Sequence, residues 1–525
     1  MLRKVQVKNG VLQGLVGKDP RITVFRGVPY AKPPVGELRW RAPQPAEDWE
    51  GVRKCYEYAD MAMMRVHPGL NDDFYTKELH PTAAEYKMSE DCLYLNIFTP
   101  AETEQEKLPV FVYIHGGGLQ DGYSYEVEFD PERVARRGVI VVMVSYRLGL
   151  FGFLAHPEIT AQTPEGEVVS NFGMQDQSMA IHWVHDNISN FGGDPDSIVI
   201  CGQSAGARSV QAQICSTMND GLIKGGIIQS GVSMMFGDED ESIAEIPSLR
   251  EAEKYGADFL HTIGIDSLEE AKQMDAYELM KRLDKASENI RYAFGLCVDG
   301  KFVRESAAGA YYNNRVADIP LIVGVCWGET QSGFIKGSMN YEQYLKKAEK
   351  YGDRKEEFLS LAGVPNDEEA DALTAGDAFN NFLAGSRAFC ELRSERGQKV
   401  YYYIFDHDIP GDDAGSFHGS DLWFMFDSLG NSWRPFEGKH YDLARQVTSY
   451  WTNFVKYKDP NGMDYNGNPL PRWEPYSKDN KAVMKFKDVA VPEVLEECPV
   501  LDFRLAFGKE VFRDAGEERK NTTEK

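Results

Sequence analysis

The chain has 525 residues, 42% of them hydrophobic, and a formal net charge of −25 at pH 7. Such a length and apolar content suffice for a large buried core. The acidity argues against nucleic acid or an anionic membrane surface as a partner, and plain solubility accounts for it. Eight cysteines are scattered without a C-x-x-C pair or metal-ligand spacing. No fixed-period repeat and no Pro/Ser-rich linker divides the chain, so one large domain is expected over residues 1–513. A charged tail, residues 514–525, follows and is expected to be mobile.

Taken in chain order, Met1-Leu2-Arg3-Lys4 leads into mixed polar sequence. No 7–15-residue apolar stretch follows, so no secretory signal is read there. Leu108–Ile114 (LPVFVYI) predicts a buried strand, an apolar run of β-branched and aromatic residues. It runs into His115-Gly116-Gly117-Gly118, where three glycines free adjacent N–H groups to point at one place, as an oxyanion hole requires. A loop needing positive φ, or a phosphate cradle, is the alternative. Neither G-x-x-x-x-G-K-[ST] nor a helix-opening G-x-G-x-x-G is present to favour phosphate. Residues 138–155 are the most apolar stretch but contain Arg147 and two further glycines, which reads as a buried strand plus loop, not a membrane span.

Residues 177–190 predict a helix whose core face is marked by Met179, Trp183 and Ile188, which sets His182 and His185 aside. The β-branched run Ser197-Ile198-Val199-Ile200 then enters Gly202-Gln203-Ser204-Ala205-Gly206, followed by an Ala/Ser/Gln-rich helical stretch. A serine between two glycines at a strand-to-helix turn is the pattern of a nucleophile elbow. The helix N-terminus beside it favours developing negative charge. Residues 320–325 form another apolar strand-like run, and Cys326-Trp327-Gly328-Glu329 is its C-terminal loop. Functional groups in parallel sheets gather at such strand ends, which marks Glu329. Downstream of Ser204 the histidine contenders are His261, His407, His418 and His440. His418 lies in Gly415-Ser416-Phe417-His418-Gly419-Ser420-Asp421-Leu422, a small-residue loop ahead of an aromatic helical run. His407 follows a predicted strand at 400–405 and is the runner-up.

These motifs, with several longer blocks, resemble the type-B carboxylesterase/lipase family, the branch of the α/β-hydrolases that includes cholinesterases and bacterial p-nitrobenzyl esterases. The blocks are Phe25-Arg26-Gly27-Val28-Pro29-Tyr30-Ala31 with Leu38-Arg39-Trp40-Arg41, then Ser89-Glu90-Asp91-Cys92-Leu93-Tyr94-Leu95-Asn96. Tyr146-Arg147-Leu148-Gly149, Phe191-Gly192-Gly193-Asp194-Pro195, Trp451-Thr452-Asn453-Phe454 and Asp459-Pro460-Asn461 complete them, in the family's order over roughly residues 20 to 480. The resemblance implies an α/β-hydrolase fold: a mostly parallel twisted sheet flanked by helices, with helical insertions and a small N-terminal β region. It also implies a serine esterase with Ser204 as nucleophile, Glu329 as acid and His418 as base. The oxyanion hole would be Gly117, Gly118 and Ala205, and an acyl-enzyme would be resolved by water. No metal or organic cofactor is implied, and the partner is a small-molecule ester. Asp299, Asp406 and Asp408 are the fallback acids.

Several departures from the family bear on the expectation. Gly328 and Thr330 replace the aspartate and glycine around the family's glutamate. Gln203 replaces the glutamate that usually precedes the serine. Residues 67–88 carry Phe74, Tyr75 and Tyr86 but none of the tryptophan that holds a quaternary ammonium, so general esters with small to medium acyl groups are expected over choline esters. Extracellular relatives bridge the cysteine equivalent to Cys92 to one upstream. Here that region reads Met61-Ala62-Met63-Met64 with Cys55 out of place, so a reduced, cytoplasmic protein is expected. Met234, Met235 and Phe236 are candidates for the pocket wall, or for the core. Arg39 and Glu90 correspond to a charged pair that ties the N-terminal region to the core. The same three side chains would equally serve a lipase, amidase or lactonase, and some relatives of this fold are non-catalytic binding modules.

Overall fold

The computed structural model describes residues 1–64, 74–79, 86–232, 246–286, 294–329, 340–363 and 381–510. The C-terminal tail, the pocket candidates Met234, Met235 and Phe236, and Thr330 lie outside the described residues.

The apolar runs become strands of one eleven-stranded sheet. In chain order these are β1 (Leu15–Val16), β2 (Thr23–Pro29), β3 (Tyr94–Thr99), β4 (Leu108–Ile114), β5 (Ile140–Val144), β6 (Gly193–Gln203), β7 (Ile223–Gln229), β8 (Leu321–Cys326), β9 (Val400–Phe405), β10 (Ala482–Phe486) and β11 (Ala490–Val494). Across the sheet they lie β11-β10-β9-β8-β7-β6-β4-β5-β3-β2-β1. From β10 to β5 every neighbouring pair is parallel. Antiparallel pairs finish both edges. Three further strands, Lys4–Val7, Gly10–Gln13 and Val52–Lys54, make a separate small sheet at the N-terminal end. This is the α/β-hydrolase architecture.

The helices that matter for the site are α1 (Phe172–Asn187), α2 (Ala205–Cys215), α3 (Leu249–Thr262), α4 (Asp421–Met425) and α5 (Gly438–Tyr457). Successive side chains of a strand point to opposite faces. Val110, Val112 and Ile114 of β4 therefore share one core with Ile181 and Val184 of α1. Phe111 and Tyr113 share the other with Val447, Trp451 and Phe454 of α5. Because both faces are covered, β4, β8 and β9 are apolar runs that do not alternate.

α1 begins at Phe172, five residues before the predicted start, and passes at Asn187 into a short tight turn, Ile188–Phe191. Its first turns include the polar run Gln175-Asp176-Gln177-Ser178, which breaks the hydrophobic periodicity, yet those residues are buried. Asp176 accepts from Nε and Nη2 of Arg147 at 2.8 and 2.7 Å. Residues 138–155 form β5 and a short buried helix, Gly149–Phe153. Among the described residues no helix is long and apolar enough to cross a membrane, and no group of three or more His, Cys, Asp or Glu is placed to hold a metal ion. All eight cysteines are free, with Cys92 and Cys55 both buried.

Arg39 and Glu90 are in contact. Arg39, 4% exposed, donates from Nε to Glu90 Oε1 at 2.6 Å and also pairs through Nη2. Its Nη1 donates to the carbonyls of Ala271 and Met274 at 2.7 and 2.8 Å. One guanidinium thus joins the N-terminal region, the strand leading into β3 and a helical insertion.

Candidate active site

β6 ends at Gln203 and α2 begins at Ala205, leaving Ser204 alone at the turn with φ 58° and ψ −122°. Such a conformation is costly for a residue with a Cβ and is typical of residues held in place for chemistry. The flanking glycines are required by contact. A Cβ on Gly202 would stand 2.3 Å from the Gly206 carbonyl, and one on Gly206 would stand 2.1 Å from the oxygen of Ile114. Ser204 N–H donates to Gln229 O at 2.9 Å, which ties the elbow to β7.

The loop after β4 lies directly against this elbow. A Cβ on Gly116 would be 2.9 Å from Gln203 O and 3.3 Å from Ser204 Cβ. Gly117 and Gly118 take φ of 93° and 63°, left-handed values open to glycine. His115 sets the start of the loop: its ring stacks on Tyr146 at 4.5 Å, and its carbonyl accepts from the Tyr146 hydroxyl at 2.9 Å. Ala205 opens α2, and the first N–H groups of a helix have no acceptor within it. The structure thereby brings Gly116, at the start of the glycine loop, against Gln203 and Ser204 of the elbow.

Glu329 follows β8 and is 7% exposed. Its Oε1 accepts from Cys326 N–H at 2.8 Å, and its Oε2 accepts from Nδ1 of His418. Gly328, where the family carries aspartate, has a local reason. Its N–H donates to Ser416 O at 3.0 Å, and a Cβ there would lie 2.9 Å from that same oxygen. The glycine lets the glutamate loop close onto the histidine loop. On the other side of the ring, His418 Nε2 accepts from Gln203 Nε2 at 3.1 Å. Phe382 and Tyr75 flank the imidazole, at ring separations of 5.3 and 6.5 Å.

Burial works against a charged His418, but the Glu329 carboxylate and its hydrogen bond outweigh it, so the imidazole titrates above its ordinary value. Asp421, at the start of α4, adds to this from behind. It is buried, accepts from Tyr403 Oη at 2.7 Å and Gln229 Nε2 at 2.9 Å, and burial raises its own pKa.

The other contenders lie elsewhere. His407 is 2% exposed among Phe405, Phe424 and His440, and burial holds it down at about 4. His440 accepts from Glu437 N–H at 2.8 Å in the cap of α5, and His261 is exposed beside Asp266. His182 is on the outer face of α1 and His185 lies half-buried near Asp186. Asp299 accepts from the N–H groups of Lys301, Phe302 and Val303 and from Asn171, a turn-forming role. Asp408 is exposed and Asp406 is partly buried next to β10.

A cavity of about 760 Å³ lies between the glycine loop and α2. Gly118, Leu119 and Gln120 of the glycine loop line it, with Arg208 of α2, Tyr255 of α3 and Phe294. Gln120 hydrogen-bonds the backbone of Phe294 and so links the loop to the cavity wall. The first helical insertion therefore builds part of the pocket. Sequence reasoning missed Arg208, Phe382 and the Gln203–His418 contact. Arg208 carried a readable signal, since residues i and i+4 share a helix face and it lies four after Ser204.

The carboxylesterase family model matches residues 2–497. A medium-chain fatty acyl-CoA hydrolase precursor from Anas platyrhynchos is 31% identical over 88% of this chain and 84% of that protein. A fumonisin B1 esterase from Sphingopyxis macrogoltabida is 30% identical over 86% and 82%, and a cocaine esterase from Homo sapiens 29% over 96% and 89%. The solved structure of a PNB esterase superposes with a TM-score of 0.76 at 27% identity, over 94% of this chain and 97% of that one. The chain belongs to the carboxylesterase family and is a carboxylic ester hydrolase.

Proposed function

We propose that ester hydrolysis here proceeds through an acyl-enzyme on Ser204. Ser204 Oγ attacks the ester carbonyl while His418 Nε2 takes its proton. Glu329 holds Nδ1–H, fixing the tautomer and stabilising the imidazolium. The tetrahedral oxyanion is received by the N–H groups of Gly117, Gly118 and Ala205, each donor being worth about 3 kcal/mol in the transition state. Collapse expels the alcohol, protonated by His418. Water then repeats the sequence on the acyl-enzyme, releasing the acid and restoring Ser204. The observation that carries this reading is the contact of a buried glutamate with the imidazole of His418, whose other nitrogen meets Gln203, the residue before a serine held at positive φ. General carboxylic esters suit a cavity of about 760 Å³. Replacing Ser204 with alanine is the test: kcat on a chromogenic ester falls by about 10⁶-fold, the scale lost when such a nucleophile is removed. Full activity in Ser204→Ala would refute the proposal.

A further inference from the structure

Glu128 lies between the glycine loop and the short helix Pro131–Ala135, and it is wholly buried. Neither of its carboxyl oxygens meets a hydrogen-bond partner of good geometry among the described residues. The Ser428 hydroxyl donates to the backbone carbonyl of Glu128, not to its side chain. Tyr113 of β4 is within electrostatic reach, and its ring packs on Phe129 and Phe426 at 5.0 Å each. The charges that bear on the Glu128 carboxyl are those of Glu126 and Glu78. Glu78 is itself held by Arg434, from Nε and Nη2 at 3.0 and 2.8 Å. A carboxyl taken out of water beside two others is kept neutral. Its proton then faces Glu126, the group that bears on it most.

Glu126 stands directly behind the glycine loop. Its Oε1 accepts from Tyr123 N–H at 2.7 Å. A Cβ on Gly122 would lie 3.0 Å from that same oxygen, 2.7 Å from His115 Nδ1 and 2.9 Å from Gly116 O. Carboxylate, imidazole and the first glycine carbonyl thus crowd one point. Gly117 O accepts from the N–H groups of Gln120 and Asp121 at 2.9 and 3.0 Å, so the chain doubles back on itself here. The orientation of Glu126 therefore bears on where the N–H groups of Gly117 and Gly118 point.

We infer that Glu128 is a positioning residue for the oxyanion hole: as a neutral acid it donates to Glu126, and Glu126, so oriented, holds the turn behind Gly117 and Gly118 in register. This rests on the oxyanion hole assigned above. Stability gives no reason for an acid at this place. A buried polar group with poorly met hydrogen bonds destabilises a fold, and an apolar side chain of similar length would serve packing better. Residues that work against stability in this way are expected where function needs them.

The test compares wild type with Glu128→Met, similar in length but apolar, and Glu128→Gln, which keeps a donor. Active sites are counted by fluorophosphonate titration, so that kcat on a chromogenic ester refers to competent chains. Glu128→Met is expected to melt no lower than wild type and to keep KM within about twofold, yet to lose about tenfold in kcat. Its affinity for a trifluoromethyl ketone, whose hemiketal oxyanion uses the same donors, should fall by the same factor. Glu128→Gln should restore most of both. Unchanged kcat and ketone affinity in Glu128→Met, or an equal loss in Glu128→Gln, would overturn the inference. If Glu128→Met does not fold, Glu128→Gln decides through the infrared difference between ketone adduct and free protein. A shifted protonated-carboxyl band in wild type that is lost in Glu128→Gln supports the inference; no such band, or one that survives, overturns it. Wild type keeps the two claims apart: if the ketone inhibits it and Glu128→Met equally, only the role of Glu128 falls. If the ketone does not inhibit wild type, the oxyanion hole falls as well.

Discussion

Gln203 and His418 meet at 3.1 Å, the amide Nε2 of the residue before Ser204 donating to the imidazole Nε2. Since Nδ1 faces the Glu329 carboxylate, the ring is held from both sides in one tautomer, with its lone pair on Nε2. That is the tautomer a general base needs. Here, however, the lone pair is engaged by the Gln203 amide, which must give way to the Ser204 hydroxyl for His418 to act as its base. Gln203 is 4% exposed, so the contact is shielded from water.

Gln203→Glu would place a negative charge against the same nitrogen. The imidazolium is then favoured further, and the acid limb of kcat/KM moves up by about one pH unit, with activity at neutral pH falling accordingly. A pH–rate profile of the variant checks this. An unmoved limb would mean that this side chain does not face the ring during turnover.

The raised pKa of His418 fixes the sign of the wild-type profile. The neutral imidazole is the base, so activity is present above the folded-state pKa and lost as pH falls through it. The midpoint is expected above the ordinary 6.5. Glu329→Gln removes the charge that raises it. In that variant the midpoint moves down, and kcat drops by about 10⁴-fold because the ring is no longer held in its tautomer. Both quantities come from one set of profiles on a chromogenic ester.

Two glycines beside the site separate crowding from backbone strain. Gly206→Ala drives a Cβ to 2.1 Å from the Ile114 carbonyl, whereas Gly118 has open space within 4 Å and only its φ of 63° to lose. Gly206→Ala should cost about 1–3 kcal/mol or more, because backbone must shift. Gly118→Ala should cost about 1 kcal/mol, the strain of a left-handed alanine. Denaturant unfolding of the two variants is the comparison, and equal costs would count against this packing of β4 on α2.

Glu90→Gln addresses stability apart from chemistry. It leaves Arg39 buried without its carboxylate partner, which is expected to cost about 3–5 kcal/mol. The folded fraction should keep the wild-type kcat, since neither side chain reaches the site. Thermal melts and active-site titration together distinguish this from a catalytic defect.

Much of the fold was legible because local signals and tertiary burial agree. β4 and β9 have the bounds read from LPVFVYI and from the run before His407, as expected of strands apolar on both faces and closed by turn residues. The start of α1 was not legible: its buried Asp176 answers to Arg147, a partner 29 positions away, and Gln177 to Ser209. The departure at Gly328 read only as a substitution in the family's pattern, and the Ser416 carbonyl it accommodates comes from a loop that only the folded chain brings near. At the site, motifs marked the glycine loop, the elbow and the ends of strands. The meeting of Glu329, His418 and Gln203 depends on loops 89 and 215 residues apart, and no spacing rule reaches that far. Arg208 shows the same limit, since a helix period gives a face but not the cavity it looks onto.

The account depends on a single oxygen becoming acylated with the help of one imidazole. Treating the protein with a fluorophosphonate and mapping the adduct by peptide mass spectrometry tests that directly. One adduct per chain on the peptide bearing Ser204, formed in step with loss of activity and far more slowly in His418→Ala, is the expected result. Complete inactivation with Ser204 unmodified, or an undiminished labelling rate without the imidazole, would contradict it.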